Sequence, residues 1–194
     1  MTPITYPARP INGGAFNPAV PKVGPWFVEP KDNGWRALVH APTGTMFNRH
    51  GEQLSIATEF GAALALLRDN TGVAEWFDCE ALDRRHGLCR GTLIILDLII
   101  PGTYTDRLGV RLAGMPNCPV HELTEDVANG IRQISSYQGR DAAEVYDDLK
   151  RANITLGCEF YEGIVMKQGG SPYPIQRLSP ERTTHTWVKH RWAW

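Results

Sequence analysis

The chain contains no C-x-x-C pair. Its four cysteines, Cys79, Cys89, Cys118 and Cys158, are scattered, which argues against a zinc ribbon and suits free thiols in a reducing cytoplasm. The six histidines are scattered as well, and His50, His86 and His185 stand among polar residues, as surface positions do rather than metal ligands. There is no long apolar run and no charged-then-apolar leader, so neither a membrane span nor a signal peptide is expected, and the expected location is cytoplasmic. Positive charge is not in surplus either: 20 Lys and Arg face 21 Asp and Glu, for a net charge of −1. A dedicated DNA-binding module is usually basic, so a surface for nucleic acid must be local or come from a partner chain. What is present is 42% apolar and 21% charged residues over 194 positions, enough for one domain, or a lopsided pair, with a substantial core.

Residues 1–25 are rich in proline and glycine, as in YPARPINGGAF and NPAVPKVGP. Proline removes backbone donors and fixes φ, which predicts an extended N-terminal arm and no helix. A folded domain is expected from 26 to 194. Strands are predicted over WFVEP, RALVHA, TMFNRHG and EQLSI, with reversals at Gly44 and Gly51. TEFGAALALLRD (58–69) has apolar residues at helical spacing. VAEWFDCEAL reads as a strand, and the β-branched run TLIILDLII reads as a buried central one. Helices are predicted over 121–137 and over 141–152, the second capped by Asp141. Strands follow at 158–168 and 184–192. The fold class is α+β, with twisted antiparallel sheets flanked by helices.

The chemistry begins at Lys31, which opens KDNGWR directly after the apolar WFVEP. Read as K-x-N-G-x-R, the string is one carboxamide away from K-x-D-G-x-R. Further strings follow in order: FNRHGEQL (47–54), WFDCEAL (76–82), YEGIVMK (161–167) and WVKHR (187–191), with GGSPYPIQR between the last two. Together these resemble the nucleotidyltransferase signature of ATP-dependent DNA ligases, RNA ligases and mRNA capping enzymes, and the resemblance covers roughly residues 27 to 192. It implies a ligase-type nucleotidyltransferase fold and a covalent lysyl-AMP on Lys31. A lysine must attack phosphorus as a neutral amine, and an ordinary lysine pKa is about 10.4, so burial or neighbouring cations must favour the neutral form. Lys167, Lys189 and Arg191 would supply that field and neutralise phosphate oxygens as charge builds.

The resemblance also implies further roles. Glu80 and Arg36 would meet the ribose hydroxyls, and Glu29 the adenine amino group. Arg49 would reach the phosphates, or the 5′-phosphate of a nucleic-acid substrate, and Glu162 would hold magnesium, so that ATP and magnesium are the implied cofactors. Leu96 stands where the family carries an aromatic that stacks on adenine, followed by Asp97. Trp187 and Trp192 read as core aromatics.

Three departures from the pattern are evident. Asn33 replaces the aspartate. The sequence ends three residues after Arg191, where an OB-fold domain would follow, so the expected architecture lacks that domain and leaves its surface to the N-terminal arm or a partner chain. The net charge is slightly acidic, and Arg177, Arg182, Lys189 and Arg191 form the dense basic stretch. The expected activity is sealing of nicked nucleic acid, DNA before RNA. The alternatives are an RNA ligase, a capping-type guanylyltransferase, or a non-catalytic relative that binds nucleotide or nucleic acid.

Overall fold

A computed structural model describes residues 9–17, 24–82, 87–115, 130–138, 141–175 and 183–192. In chain order these form β1 (Arg9–Asn12), β2 (Trp26–Asp32), β3 (Trp35–His40), β4 (Thr45–Phe47), a 3-10 turn (Ser55–Phe60) running into α1 (Gly61–Arg68), β5 (Trp76–Leu82), β6 (Thr92–Leu98), α2 (Tyr104–Gly114), β7 (Ile131–Gln133), β8 (Tyr137–Gln138), α3 (Ala142–Leu156), β9 (Tyr161–Gln168) and β10 (Thr183–Arg191). Two five-stranded sheets result, ordered β1-β10-β9-β2-β8 and β4-β3-β5-β6-β7.

The link between the sheets is a two-residue turn. β2 ends at Asp32 and β3 starts at Trp35, so Asn33 and Gly34 carry the chain from one sheet to the other. Gly34 lies against β5, where a Cβ would come within 2.7 Å of the Ala81 carbonyl oxygen. Only glycine permits that approach. The strands then sort their side chains by the alternation of the pleat. On β5, Phe77, Cys79 and Ala81 enter one apolar core with Phe60, Ala63, Leu64 and Leu67. Asp78 and Glu80 point the other way, into a cavity between the sheets. On β2 and β9, Val28, Ile164 and Met166 join a second core with Val145 and Leu149 of α3, while Glu29, Lys31, Val165 and Lys167 line the cavity.

The α+β class and the capping of α3 agree with expectation: the Asp141 carboxylate accepts the Ala143 N–H at 2.9 Å. Four expectations need correction. The sheets are not wholly antiparallel, since β1 pairs in parallel with β10 and β7 with β6. The predicted helix over 121–137 fails where it is described. Residues 121–129 lie outside the described residues, but Ile131–Gln133 and Tyr137–Gln138 are strands. The Gly130 carbonyl and Ile134 N–H are tied into β6 through Leu93 and Ile95, and those ladder bonds outweigh the helical spacing of the local sequence. The strand expected at EQLSI is reduced to one bridge between Gln53 and Phe47, followed by the 3-10 turn. Finally, α2 was not anticipated. Cys118, His86, Arg177 and Arg182 also lie outside the described residues. No described helix is long and apolar enough to cross a membrane.

Candidate active site

The cavity between the sheets has a volume of about 410 Å³. Lys31, Glu29, Arg36, Arg49, Glu80, Leu96, Glu162, Lys167, Lys189 and Arg191 all line it, although they come from six strands and a loop. Lys31 sits at a register shift near the end of β2, opposite Gly163 of β9. Its Nζ donates to Glu162 Oε1 at 2.9 Å, and the side chain keeps 17% of its surface exposed. The other oxygen of Glu162 receives Arg191 Nε at 2.8 Å. One carboxylate therefore holds two cations at the cavity wall.

Behind this pair lies a buried polar network. Lys167, only 2% exposed, donates to Glu29 Oε2 at 2.8 Å and to the Leu96 carbonyl oxygen at 3.0 Å. Its ammonium lies 4.4 Å from the Trp187 ring centroid, a cation–π contact. Trp187 is thus both buried and part of the cavity lining. Glu29 Oε1 accepts the Ser136 hydroxyl at 2.7 Å and the Tyr104 hydroxyl. Asp97 is clamped by Arg107 through paired bonds of 2.9 and 3.0 Å, and Arg111 donates to the Leu96 carbonyl oxygen at 2.8 Å. Tyr104, Arg107 and Arg111 form the buried face of α2, so this helix braces the floor of the cavity.

Arg36 makes a two-bond fork to Asp78, at 2.9 and 2.8 Å, and the Tyr173 hydroxyl donates to the same carboxylate at 2.8 Å. Burial opposes the charge on Arg36, yet Asp78 and the Tyr173 hydroxyl together hold its pKa above the usual arginine range. Tyr173 belongs to the Ser-Pro-Tyr string, which here supports Arg36 from behind. Glu80 Oε1 accepts the Gly34 N–H at 2.9 Å. Burial pushes Glu80 up to about 7, with Lys31 and the Gly34 N–H pulling the other way. Lys189 is shifted down, by burial first and then by Arg191, Lys31 and Arg9. Arg49 is exposed at the rim, with its Nε donating to His50 at 2.9 Å.

Asp32 was overlooked in the sequence. It lines the cavity, is 3% exposed, and neither of its carboxylate oxygens finds a hydrogen-bond partner. Asn33 turns away: its amide donates to the Glu159 carbonyl oxygen at 3.1 Å. The carboxylate that the hexapeptide lacks at 33 is therefore available to the cavity from 32. Burial pushes Asp32 up to about 8, with Glu80 adding to the rise, Lys31 opposing it, and Glu29 and Glu162 adding further. An acid whose folded pKa is raised binds its proton more tightly in the native state. Stability then falls as pH rises from the unfolded value near 3.8 to the folded value near 8. Asp32→Asn is expected to flatten this fall, so its melting temperature should gain on wild type steadily between about pH 4 and pH 8. Parallel melting curves for the two proteins across that window would refute the assignment. Arg9 and Pro10 of β1 also line the cavity, and nothing in the proline-rich arm announced them.

No family model and no curated protein matches this chain. Solved structures do. The ligase domain of LigD from M. tuberculosis superposes with a TM-score of 0.62 at 20% identity, over 95% of this chain and 59% of that one. A mycobacterial DNA ligase D complexed with ATP and MES gives 0.58 at 20% identity, over 95% and 60%. A Chlorella virus DNA ligase-adenylate gives 0.56 at 13% identity, over 95% and 67%. The fold is that of the adenylation domain of ATP-dependent DNA ligases, a ligase-type nucleotidyltransferase fold. The chain spans about three fifths to two thirds of the length of these structures.

Proposed function

We propose that the chain is an ATP-dependent nucleotidyltransferase of the polynucleotide-ligase type. The observation that carries this reading is Lys31. It is an accessible amine at a bulged strand end, in a cavity where Lys189, Arg191 and Lys167 converge on the same side as two buried carboxylates. Once Lys31 has released its proton, Nζ bonds to the α-phosphorus of ATP. The bond from that phosphorus to the bridging oxygen breaks, and pyrophosphate leaves with the electron pair. Lys189 and Arg191 neutralise the phosphate oxygens as the charge develops. The AMP then passes to a 5′-phosphate, the 3′-hydroxyl of the nick displaces it, and the strand is sealed. The DNA ligase folds that this chain resembles support nicked DNA as the first polynucleotide to try, with RNA second.

Magnesium fits the donor set. It takes hard oxygen ligands, commonly one or two carboxylates together with substrate phosphates, and the cavity offers the unpartnered oxygens of Asp32 together with Glu162, whose oxygens meet Lys31 and Arg191 here and would have to exchange one of them for the ion. Bound there, it would shield the triphosphate. Among the described residues no group of three or more His, Cys, Asp or Glu is placed to hold an ion.

Glu80 and Arg36 are assigned to the ribose, and Leu96 gives the base an aliphatic face. Glu29 is assigned to the adenine amino group. Its Oε1 is committed to the Tyr104 and Ser136 hydroxyls and its Oε2 accepts from Lys167 at 2.8 Å, so the remaining lone pair of Oε2 is what an adenine amino group would meet, and Glu29→Ala removes it. An acceptor in that place favours adenine N6 over guanine O6. Competition labelling should show the ATP-over-GTP preference falling about tenfold in this variant. An unchanged preference would remove Glu29 from base recognition. The test of the whole reading is incubation with α-labelled ATP and magnesium, then a denaturing gel. The protein is expected to carry a covalent label that is acid-labile and base-stable. Absence of label from the wild type would overturn the enzyme reading in favour of a binding protein.

A further inference from the structure

We infer that Arg9, on the edge strand β1, is a ligand for the β- and γ-phosphates of the nucleoside triphosphate, and hence for the departing pyrophosphate. This rests on the reading of the cavity as a nucleotidyltransferase site. The strand register arranges the cations of the first sheet in order. Lys31 lies opposite Gly163, and Gly163 opposite Arg191, in one row across β2, β9 and β10. Glu29, Val165 and Lys189 form the next row. β1 lies beyond β10, with Asn12 opposite Lys189 and the Gly13 N–H donating to the Lys189 carbonyl oxygen at 3.0 Å. Pro10 pairs with Thr184 and Ile11 with Val188, so β10 bulges between them. At that irregularity Arg9 and Pro10 reach the wall of the same cavity.

Geometry then assigns the phosphate. Three strand spacings, roughly 14 Å, separate β1 from β2. Lys189 and Arg191 of β10 stand between Arg9 and Lys31 in the strand order, so the α-phosphate at Lys31 falls to the nearer cations, and a phosphate chain that runs from Lys31 past them meets Arg9 at its distal end. The electrostatics agree. Burial first, then Arg191, Lys31 and Arg9 in turn, depress Lys189, so these four cations share one field across the cavity wall. Glu162, one of the carboxylates on this wall, is shared between Lys31 and Arg191. A polyanion relieves that repulsion, and a planar guanidinium forks onto phosphate oxygens better than an ammonium does.

The test compares ATP with AMP, because AMP lacks the two phosphates in question. Binding of each is measured by calorimetry for wild type, for Arg9→Met, which keeps the aliphatic stem, and for Arg9→Lys, which keeps the charge. Arg9→Met is expected to lower ATP affinity about tenfold while leaving AMP affinity where it was, and to weaken the salt dependence of ATP binding. Arg9→Lys recovers part of the loss. In protein that has been labelled, release of AMP by added pyrophosphate slows by a similar factor in Arg9→Met. Equal losses for ATP and AMP would show that Arg9 only shapes the cavity, and no loss for either would remove it from the site; both results overturn the inference. A wild type that prefers ATP through Arg9 but never becomes labelled would sink the covalent reading and leave Arg9 in place. A wild type that labels normally, with an Arg9→Met variant of unchanged ATP-to-AMP ratio, would do the reverse. No measurable ATP binding by the wild type would overturn both.

Discussion

Lys31→Ala is expected to carry no covalent AMP after incubation with labelled ATP, under conditions in which wild type is labelled. The bond that holds the label is a phosphoramidate to Nζ, and alanine has no amine to form it. Lys31→Arg should be equally silent, because a guanidinium keeps the charge but is not a nucleophile at any working pH. The loss is chemical and not structural. Lys31 is partly exposed at a strand end, and in its absence Glu162 retains Arg191 as a counter-ion. Both variants should therefore melt within about 1 kcal/mol of wild type. They should also still bind ATP, since Lys189 and Arg191 remain. Label persisting at wild-type level in either variant would move the nucleophile elsewhere, and Lys167 cannot inherit the role readily: its ammonium is buried and held by Glu29 and the Leu96 carbonyl oxygen.

Gly163→Ala is expected to have the largest effect on the fold. Gly163 has φ +147°, and a Cβ built there would lie 1.9 Å from the His190 carbonyl oxygen and 2.8 Å from the Arg191 Cα. Both are backbone, so no side chain can move aside. The residue also sits in the row that joins Lys31 to Arg191, and relieving the clash means parting β9 from β10 at that row. The expected cost is roughly 3 kcal/mol or more, together with loss of labelling, because Glu162 and Arg191 would no longer face Lys31. Gly170→Ala is the comparison: its Cβ meets nothing within 4 Å, and a surface change of that kind stays within about 0.5 kcal/mol. A Gly163→Ala protein that melts and labels like wild type would show that the β9–β10 pairing is not what positions the site.

Much of the site could be read from residue order alone. Lys31, Glu80, Glu162, Lys167, Lys189 and Arg191 stand in short strings whose order resembles the nucleotidyltransferase signature, and it is that resemblance which singles them out as candidates; the alternation of charged with apolar residues along each strand adds which face they take. That alternation has a period of two, so once a strand forms, Asp78 and Glu80 must leave the face that Phe77 and Cys79 bury. The amphipathic helix around Leu64 and Leu67 and the capped α3 were legible for the same reason, since spacing and cap are properties of neighbouring residues.

What the sequence could not show depends on partners far along the chain. α2 escaped because its buried residues at i, i+3 and i+7 are Tyr104, Arg107 and Arg111. A hydrophobic-periodicity reading takes such a face for solvent-exposed, and acceptors brought up by other parts of the chain, among them Asp97, Glu29 and the Leu96 carbonyl oxygen, make it an interior one. The segment 131–133 reads as helix locally and becomes a strand because β6 offers it a ladder. Arg9 stands in an arm that composition marks as extended; its place in the cavity comes from pairing with a strand that begins more than 170 residues later. Asp32 is one residue from Lys31 in the sequence, yet its burial and its unpartnered oxygens follow from the packing of two sheets around it. The sequence by itself determined which residues carry charge and nucleophilic chemistry, and which strand face each would take, because those properties are covalent or local. The tertiary structure alone decided which of them share a cavity and which are stripped of water, because pairing, desolvation and charge–charge fields depend on distance in space and not along the chain.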